Sequence, residues 1–311
     1  MTALVYDPIY SAVELPAGHR FPILKYRRLY ERARSAGVPA GLFHRPVPLR
    51  PEQVKSALCA DYIDRFVGGG LSAAEVRKIG FPWSEPLVQR TFVSVAGTIL
   101  AGRLALASGR AVHLAGGYHH AFRDQGTGFC IINDLYLCAL DLLQQPGIRR
   151  VLIFDCDVHQ GDGTAQLAQQ NDAVITVSIH GEKNFPFHKQ TSDWDIGLPK
   201  GVKDDSYLQC VRATLDEAIA RFAPDAVIYD AGADIHRDDD LGHFDVSLAG
   251  VYQRDVTVFQ MCKRLGLPVV AVIGGGYQRD LEALVEVHFQ LLRAALGDVL
   301  TESNVHPSFN V

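Results

Sequence analysis

Residues Val151–Gly163 read VLIFDCDVHQGDG, an apolar run followed by three aspartates and one histidine. Four apolar residues in a row, closed by polar residues and glycine, read as a strand buried on both faces. Such strands belong to parallel sheets covered by helices, and in those sheets ligands bind beyond the carboxyl ends of the strands. The acidic cluster stands at that end.

The same alternation extends in both directions. Strands are expected at Ala111–Leu114, Val174–Ser178, Ala226–Tyr229 and Val269–Ile273. Helices are expected at Lys25–Ser35, Leu87–Ser108, Asp134–Gln144, Ser206–Phe222, Ser247–Leu265 (with Ser247 as N-cap) and Asp280–Leu296. The stretch before Pro86 is mixed. No repeat, linker or low-complexity tract divides the chain, so residues 1–311 are expected to form one α/β domain: a central parallel β-sheet with helices on both faces.

Composition sets limits on function. The 311 residues are 48% hydrophobic and 21% charged, an ordinary globular balance. Lys plus Arg is 30 and Asp plus Glu 35, for a net charge of −5, which argues against a broad nucleic-acid surface. The longest uncharged run, Leu265–Gln278, contains Pro268 and three glycines, so no transmembrane helix and no membrane partner are expected. No secretory signal is visible at the start. The six cysteines form no CxxC pair and read as reduced thiols of a cytoplasmic protein.

Polar residues follow every expected strand. His119 and His120 follow the first, in GGYHH. Asp155, Asp157, His159 and Asp162 follow the second. Ser178-Ile179-His180 closes the third, Asp230 and Asp234 lie in DAGAD after the fourth, and Tyr277 follows Gly274–Gly276 after the fifth. Asp157 and His159 are two apart and point the same way on an extended chain. With Asp234 they make a mixed O/N set of three, the pattern of a catalytic rather than a structural zinc site. Beside a metal, His119 and His120 can supply a general base and a general acid, each oriented by Asp155 or Asp162. The Tyr277 phenol can donate to an oxygen that gains charge. The plainer alternative is solvated or helix-capping carboxylates, a surface His pair and a packing tyrosine.

GGYHH, GTGFCIIND, DCDVHQGDG, VSIH, DAGAD-x6-LG and GGGYQRD, in that order, resemble the zinc-dependent histone deacetylase family from about His19 to the final helix. Gln160, where many members carry a second histidine, with DAGADI and GGYQ, is most similar to the class IV branch and its bacterial relatives. The resemblance implies an arginase/deacetylase-like fold and hydrolysis of an acyl amide on a lysine-type amine. It implies Asp157, His159 and Asp234 as Zn²⁺ ligands, and His119 and His120 as catalytic pair, partnered by Asp155 and Asp162 respectively. It implies Tyr277 as the carbonyl-polarising residue. Gly128 and Phe129 match one wall of an acyl-lysine tunnel, Leu241 its mouth, and Phe187 the second aromatic wall. Asp155, Asp157, His159, Ser178 and Ile179 match a structural K⁺ site. His120 is the preferred general base, and Asp230 has no implied role beyond a hydrogen-bonded strand-end carboxylate.

The expected activity is removal of acetyl or longer acyl groups from lysine side chains of proteins or peptides. Gly116, Gly117 and Gly274–Gly276 are expected to leave room for a longer acyl chain. The alternatives are an acetylpolyamine-type deacetylase, for which Asp238-Asp239-Asp240 offers a cation surface, and a non-catalytic acyl-lysine binding protein. A two-manganese ureohydrolase requires Asp-x-His-x-Asp, whereas this chain has Asp-x-Asp-x-His.

Overall fold

The computed structural model describes residues 2–297 and Leu300. Its strands are β1 (Ala3–Val5), β2 (Phe43–His44), β3 (Arg110–His113), β4 (Val151–Asp155), β5 (Val174–Gly181), β6 (Trp194–Leu198), β7 (Ala226–Asp230) and β8 (Val269–Val272). Its α-helices are α1 (Lys25–Ser35), α2 (Pro51–Lys55), α3 (Ala60–Val67), α4 (Ala73–Ile79), α5 (Glu85–Ser108), α6 (Asp134–Leu142), α7 (Asp162–Ala168), α8 (Asp204–Phe222), α9 (Leu248–Leu265) and α10 (Leu281–Leu296). All strands pair in parallel in one sheet, ordered β2-β1-β3-β8-β7-β4-β5-β6.

The central strands are fully buried, as their unbroken apolar sequence requires. Helices α5 and α10 both pack on β3, and each belongs to a different helix layer. Helices α8, α9, α10 and α1 touch in succession as one layer, and α5, α6 and α7 form the other. The expected helices sit within two residues of their sequence positions because their ends are chemically marked. Ser84, Ser247 and Asp280 accept backbone N–H groups of the first turns of α5, α9 and α10. Gly109 and Gly266 close α5 and α9 in the left-handed region. By length and composition α5 is also apolar enough to cross a bilayer, but most of it is buried in the protein.

Three strands carry no clear sequence signal. β1 and β2 are only three and two residues long. β6 is an edge strand with alternating exposure, and Asp195 and Gly197 interrupt its apolar pattern. All six cysteines are unpaired.

Candidate active site

The sheet register lines up the strand ends. Ser178, Asp155, Asp230, Val272 and His113 are successive partners across β5, β4, β7, β8 and β3. The loops that leave these residues therefore begin on one rim.

Asp157, His159 and Asp234 meet there, all buried. His159 Nδ1 lies 2.9 Å from Asp157 Oδ1 and 3.1 Å from Asp234 Oδ2. Backbone donors aim the carboxylates: His159 N–H to Asp157 Oδ1 at 2.8 Å, and Val158 N–H to Asp234 Oδ1 at 3.0 Å. The glycine run comes down onto this cluster. A Cβ on Gly275 would lie 2.6 Å from Asp157 Oδ2 and would run into the Asp234 carboxylate. Two buried carboxylates beside an imidazole nitrogen make an O/N/O donor set that suits a divalent cation. Burial lowers the His159 imidazole, but Asp157 and Asp234 outweigh it and raise it to about 10 with a proton in the cation's place.

The two histidines beside this cluster differ. His119 Nδ1 donates to Asp155 Oδ2 at 2.8 Å, and His120 Nδ1 donates to Asp162 Oδ1 at 2.6 Å. Burial lowers His119, but Asp155 and Asp157 outweigh it and hold it well above the usual imidazole range. Burial, His119 and His159 together push His120 well below that range. Burial raises Asp162 to about 6. Tyr277 lies 6.3 Å from the His159 ring, centroid to centroid. Burial, then Asp157 and Asp234, raise its phenol well above 10, so it remains a hydrogen-bond donor.

Aromatic side chains surround the cluster. Phe129 packs near Phe21, Phe81 and Tyr277 at 5.3, 5.5 and 5.8 Å between centroids. It has φ +65°, a conformation costing about 1–2 kcal/mol, and its N–H is held by Ile79 O at 2.7 Å. Gly128 is required beside it, since a Cβ would lie 2.8 Å from His120 Cδ2. Facing them is Phe185, not Phe187. Phe185 sits 4.9 Å from the His120 ring, whereas Phe187 is 86% exposed. The sequence could not separate two phenylalanines that flank one proline, because it does not show which one turns inward. Leu241 is joined to this wall through its carbonyl, which accepts from Asn184 Nδ2 at 2.9 Å.

A description of the histone deacetylase domain matches residues 19–292. The chain belongs to that family. It is 44% identical over 296 residues to an uncharacterized protein of Picosynechococcus, covering 94% of this chain and 97% of that one. It is 30% identical over 304 residues to the acetoin utilization protein AcuC of Bacillus subtilis, covering 89% and 77%. It is 34% identical over 189 residues to histone deacetylase 2 of Arabidopsis thaliana, covering 60% and 49%, so it spans about half of that relative's length. The fold is that of the HDA15 HD domain, with a TM-score of 0.79 at 22% identity over 98% of this chain and 94% of that one.

Two residues of this deacetylase-family site, Lys25 and Arg254, carry no signal in the sequence. Lys25, at the start of α1, is buried and donates through Nζ to Gly275 O, with the Tyr277 ring 5.9 Å away. Burial lowers its ammonium to about 8 against the pull of Asp234, Asp239 and Asp157. Arg254, buried on α9, donates to Gly232 O at 2.6 Å in the loop that carries Asp234. Gln160 exchanges two hydrogen bonds with the Gln190 backbone, at 2.7 and 2.9 Å, and so ties down the loop that carries Phe185.

Three further expectations change. Asp230 is not a hydrogen-bonded carboxylate. It is fully buried, neither oxygen has a hydrogen-bond partner among the described residues, His119 Nδ1 stands 3.9 Å from Oδ2, and burial followed by Asp155 raises it well above the usual carboxylate range. The acidic run is not a cation surface. Asp239 turns inward to accept the N–H groups of Leu241, Gly242 and Tyr277, and Asp240 meets Arg20 and Arg279 at 3.2 and 3.3 Å. Asp238 is left largely exposed. The glycines do not open the space expected of them. A Cβ on Gly116 would lie 2.6 Å from Asp134 Oδ2, on Gly117 2.8 Å from Gly274 Cα, and on Gly276 2.7 Å from Leu284 Cδ1.

Proposed function

We propose that the protein is a Zn²⁺-dependent amidohydrolase that removes the acetyl group from an acetylated lysine side chain of a protein or peptide. The observation that carries this is the buried Asp157–His159–Asp234 cluster facing two histidines, each hydrogen-bonded to its own carboxylate. These three residues would hold the ion. When bound, zinc supplies Lewis acidity toward water and the amide carbonyl.

The chain's own groups do the rest. His120, neutral and donating through Nδ1 to Asp162, has Nε2 available to take a proton from the attacking water. His119, donating through Nδ1 to Asp155, is placed to carry a proton for the departing amine. The Tyr277 hydroxyl donates to the carbonyl oxygen as negative charge grows on it. Phe129 and Phe185 line a path that suits the uncharged stem of an acyl-lysine and keeps water from the sides. A structural K⁺ held by Asp155, Asp157, His159, Ser178 and Ile179 belongs to this proposal, as does the class IV assignment.

An acetylated small amine is the alternative substrate class. Against a polycation stands the engagement of Asp239 and Asp240. The metal assignment is tested by zinc content. Asp157→Ala and Asp234→Ala each remove one of three protein ligands and should lose the ion. Full zinc occupancy in both variants would overturn it.

A further inference from the structure

The segment Gly116–Ala121, which carries His119 and His120, belongs to no helix or strand. Gly116 and Gly117 have φ +91° and +77°. Its backbone is held instead by two adjacent, fully buried residues at the start of α6.

Asp134 grips the near side. Its Oδ1 accepts the Tyr118 N–H at 2.7 Å, and its Oδ2 accepts the Gly117 N–H at 3.2 Å and the Thr98 hydroxyl at 2.6 Å. Asn133 grips the far side. Its Nδ2 donates to Ala121 O at 3.1 Å and to Thr164 Oγ1 at 2.9 Å, while its Oδ1 caps α6 through the Tyr136 N–H at 2.9 Å. Thr164 N–H in turn donates to His119 O at 3.0 Å. The residue before His119 and the residue after His120 are thus fastened to one helix end.

We propose that Asn133 and Asp134 are the positioning residues of the histidine pair, setting its backbone while Asp155 and Asp162 set its rings. This rests on His119 and His120 being the proton-transfer pair. Buried carboxylates and amides are retained where their bonds are complete, and these two direct theirs to both flanks of the pair. A displacement of about 1 Å in a reacting group costs on the order of 10²-fold in rate.

Two isosteric changes separate the brace from general stability. Asp134→Asn keeps the shape but sets an NH₂ against backbone donors. Asn133→Asp keeps the oxygen that caps α6 but loses the donor to Ala121 O. Each is measured for kcat and KM on an acetyl-lysine peptide, for zinc content, for thermal midpoint, and for the imidazole Nδ1–H signals of His119 and His120 in proton–nitrogen NMR. The expected result is a kcat lower by about 10²-fold with KM within about threefold, zinc retained, and both signals shifted or broadened. Unmoved signals in the folded variants overturn the brace, as does a loss of rate that follows loss of zinc. If Asp134→Asn fails to fold, Asn133→Asp decides. Absence of hydrolysis by the wild-type protein would count against the proposed function alone, since the signals still report on the brace.

Discussion

The buried carboxylate of Asp239 accepts the backbone N–H of Tyr277 at 2.7 Å through Oδ2. Its other oxygen accepts Leu241 and Gly242 N–H, both at 2.8 Å. One side chain therefore fixes the tyrosine that would polarise the carbonyl and the segment carrying Leu241. Asp239→Asn removes one acceptor and should lower kcat by about tenfold with zinc retained. A double-mutant cycle checks the route: in a Tyr277→Phe background the same change should cost much less. Equal losses in both backgrounds would separate Asp239 from Tyr277.

Tyr277→Phe removes one hydroxyl and little packing. If the phenol stabilises developing charge, kcat falls by roughly 10²–10³, the effect of one lost oxyanion donor. Zinc content stays at the wild-type level. Unchanged turnover would leave Tyr277 as a packing aromatic beside Phe129.

The contribution of one buried histidine to stability should be lost in mild acid. His113 is buried between Thr98 Oγ1 and the Tyr10 hydroxyl, each at 2.9 Å, and burial followed by Arg90 lowers it to about 3. The unfolded chain takes up its proton near pH 6.5, while the folded chain does not until about pH 3. The contribution is therefore complete above pH 6.5 and is lost as pH falls below it, by about 1.4 kcal/mol at pH 5.5. Urea midpoints at pH 7.5 and 5.5 should show that much less pH dependence in His113→Gln than in the wild type. An identical slope would mean that His113 is charged in the fold.

Acyl length is the next test. The space above the glycines is filled by Asp134, Gly274 and Leu284, and the proposed activity is on acetyl. From acetyl to butyryl, kcat/KM should drop by more than about tenfold, or 1.4 kcal/mol. A flat series would show space that the glycines do not provide.

The sheet and the rim were legible because each depends on local sequence. Runs such as Val151–Phe154 are apolar on both faces, and the polar residues follow them directly. What escaped depends on contacts between distant segments. Lys25 reaches Gly275 across 250 residues, and nothing in an amphipathic helix shows which lysine turns inward. Asp238, Asp239 and Asp240 look alike in sequence, and only the return of the Tyr277 loop distinguishes Asp239. Glycines likewise read as empty space until the fold brings Asp230 and Asp134 against them. Phe185 and Phe187 were exchanged for the same reason.

The central claim is that a metal at Asp157, His159 and Asp234 serves amide hydrolysis by the surrounding residues. The most direct measurement is acetate release from an acetyl-lysine peptide by protein stripped with a chelator and then reloaded with Zn²⁺. The reloaded protein should bind about one ion per chain and release acetate, and the stripped protein should not. A reloaded protein that binds zinc yet releases no acetate from acetyl-lysine peptides would contradict the account.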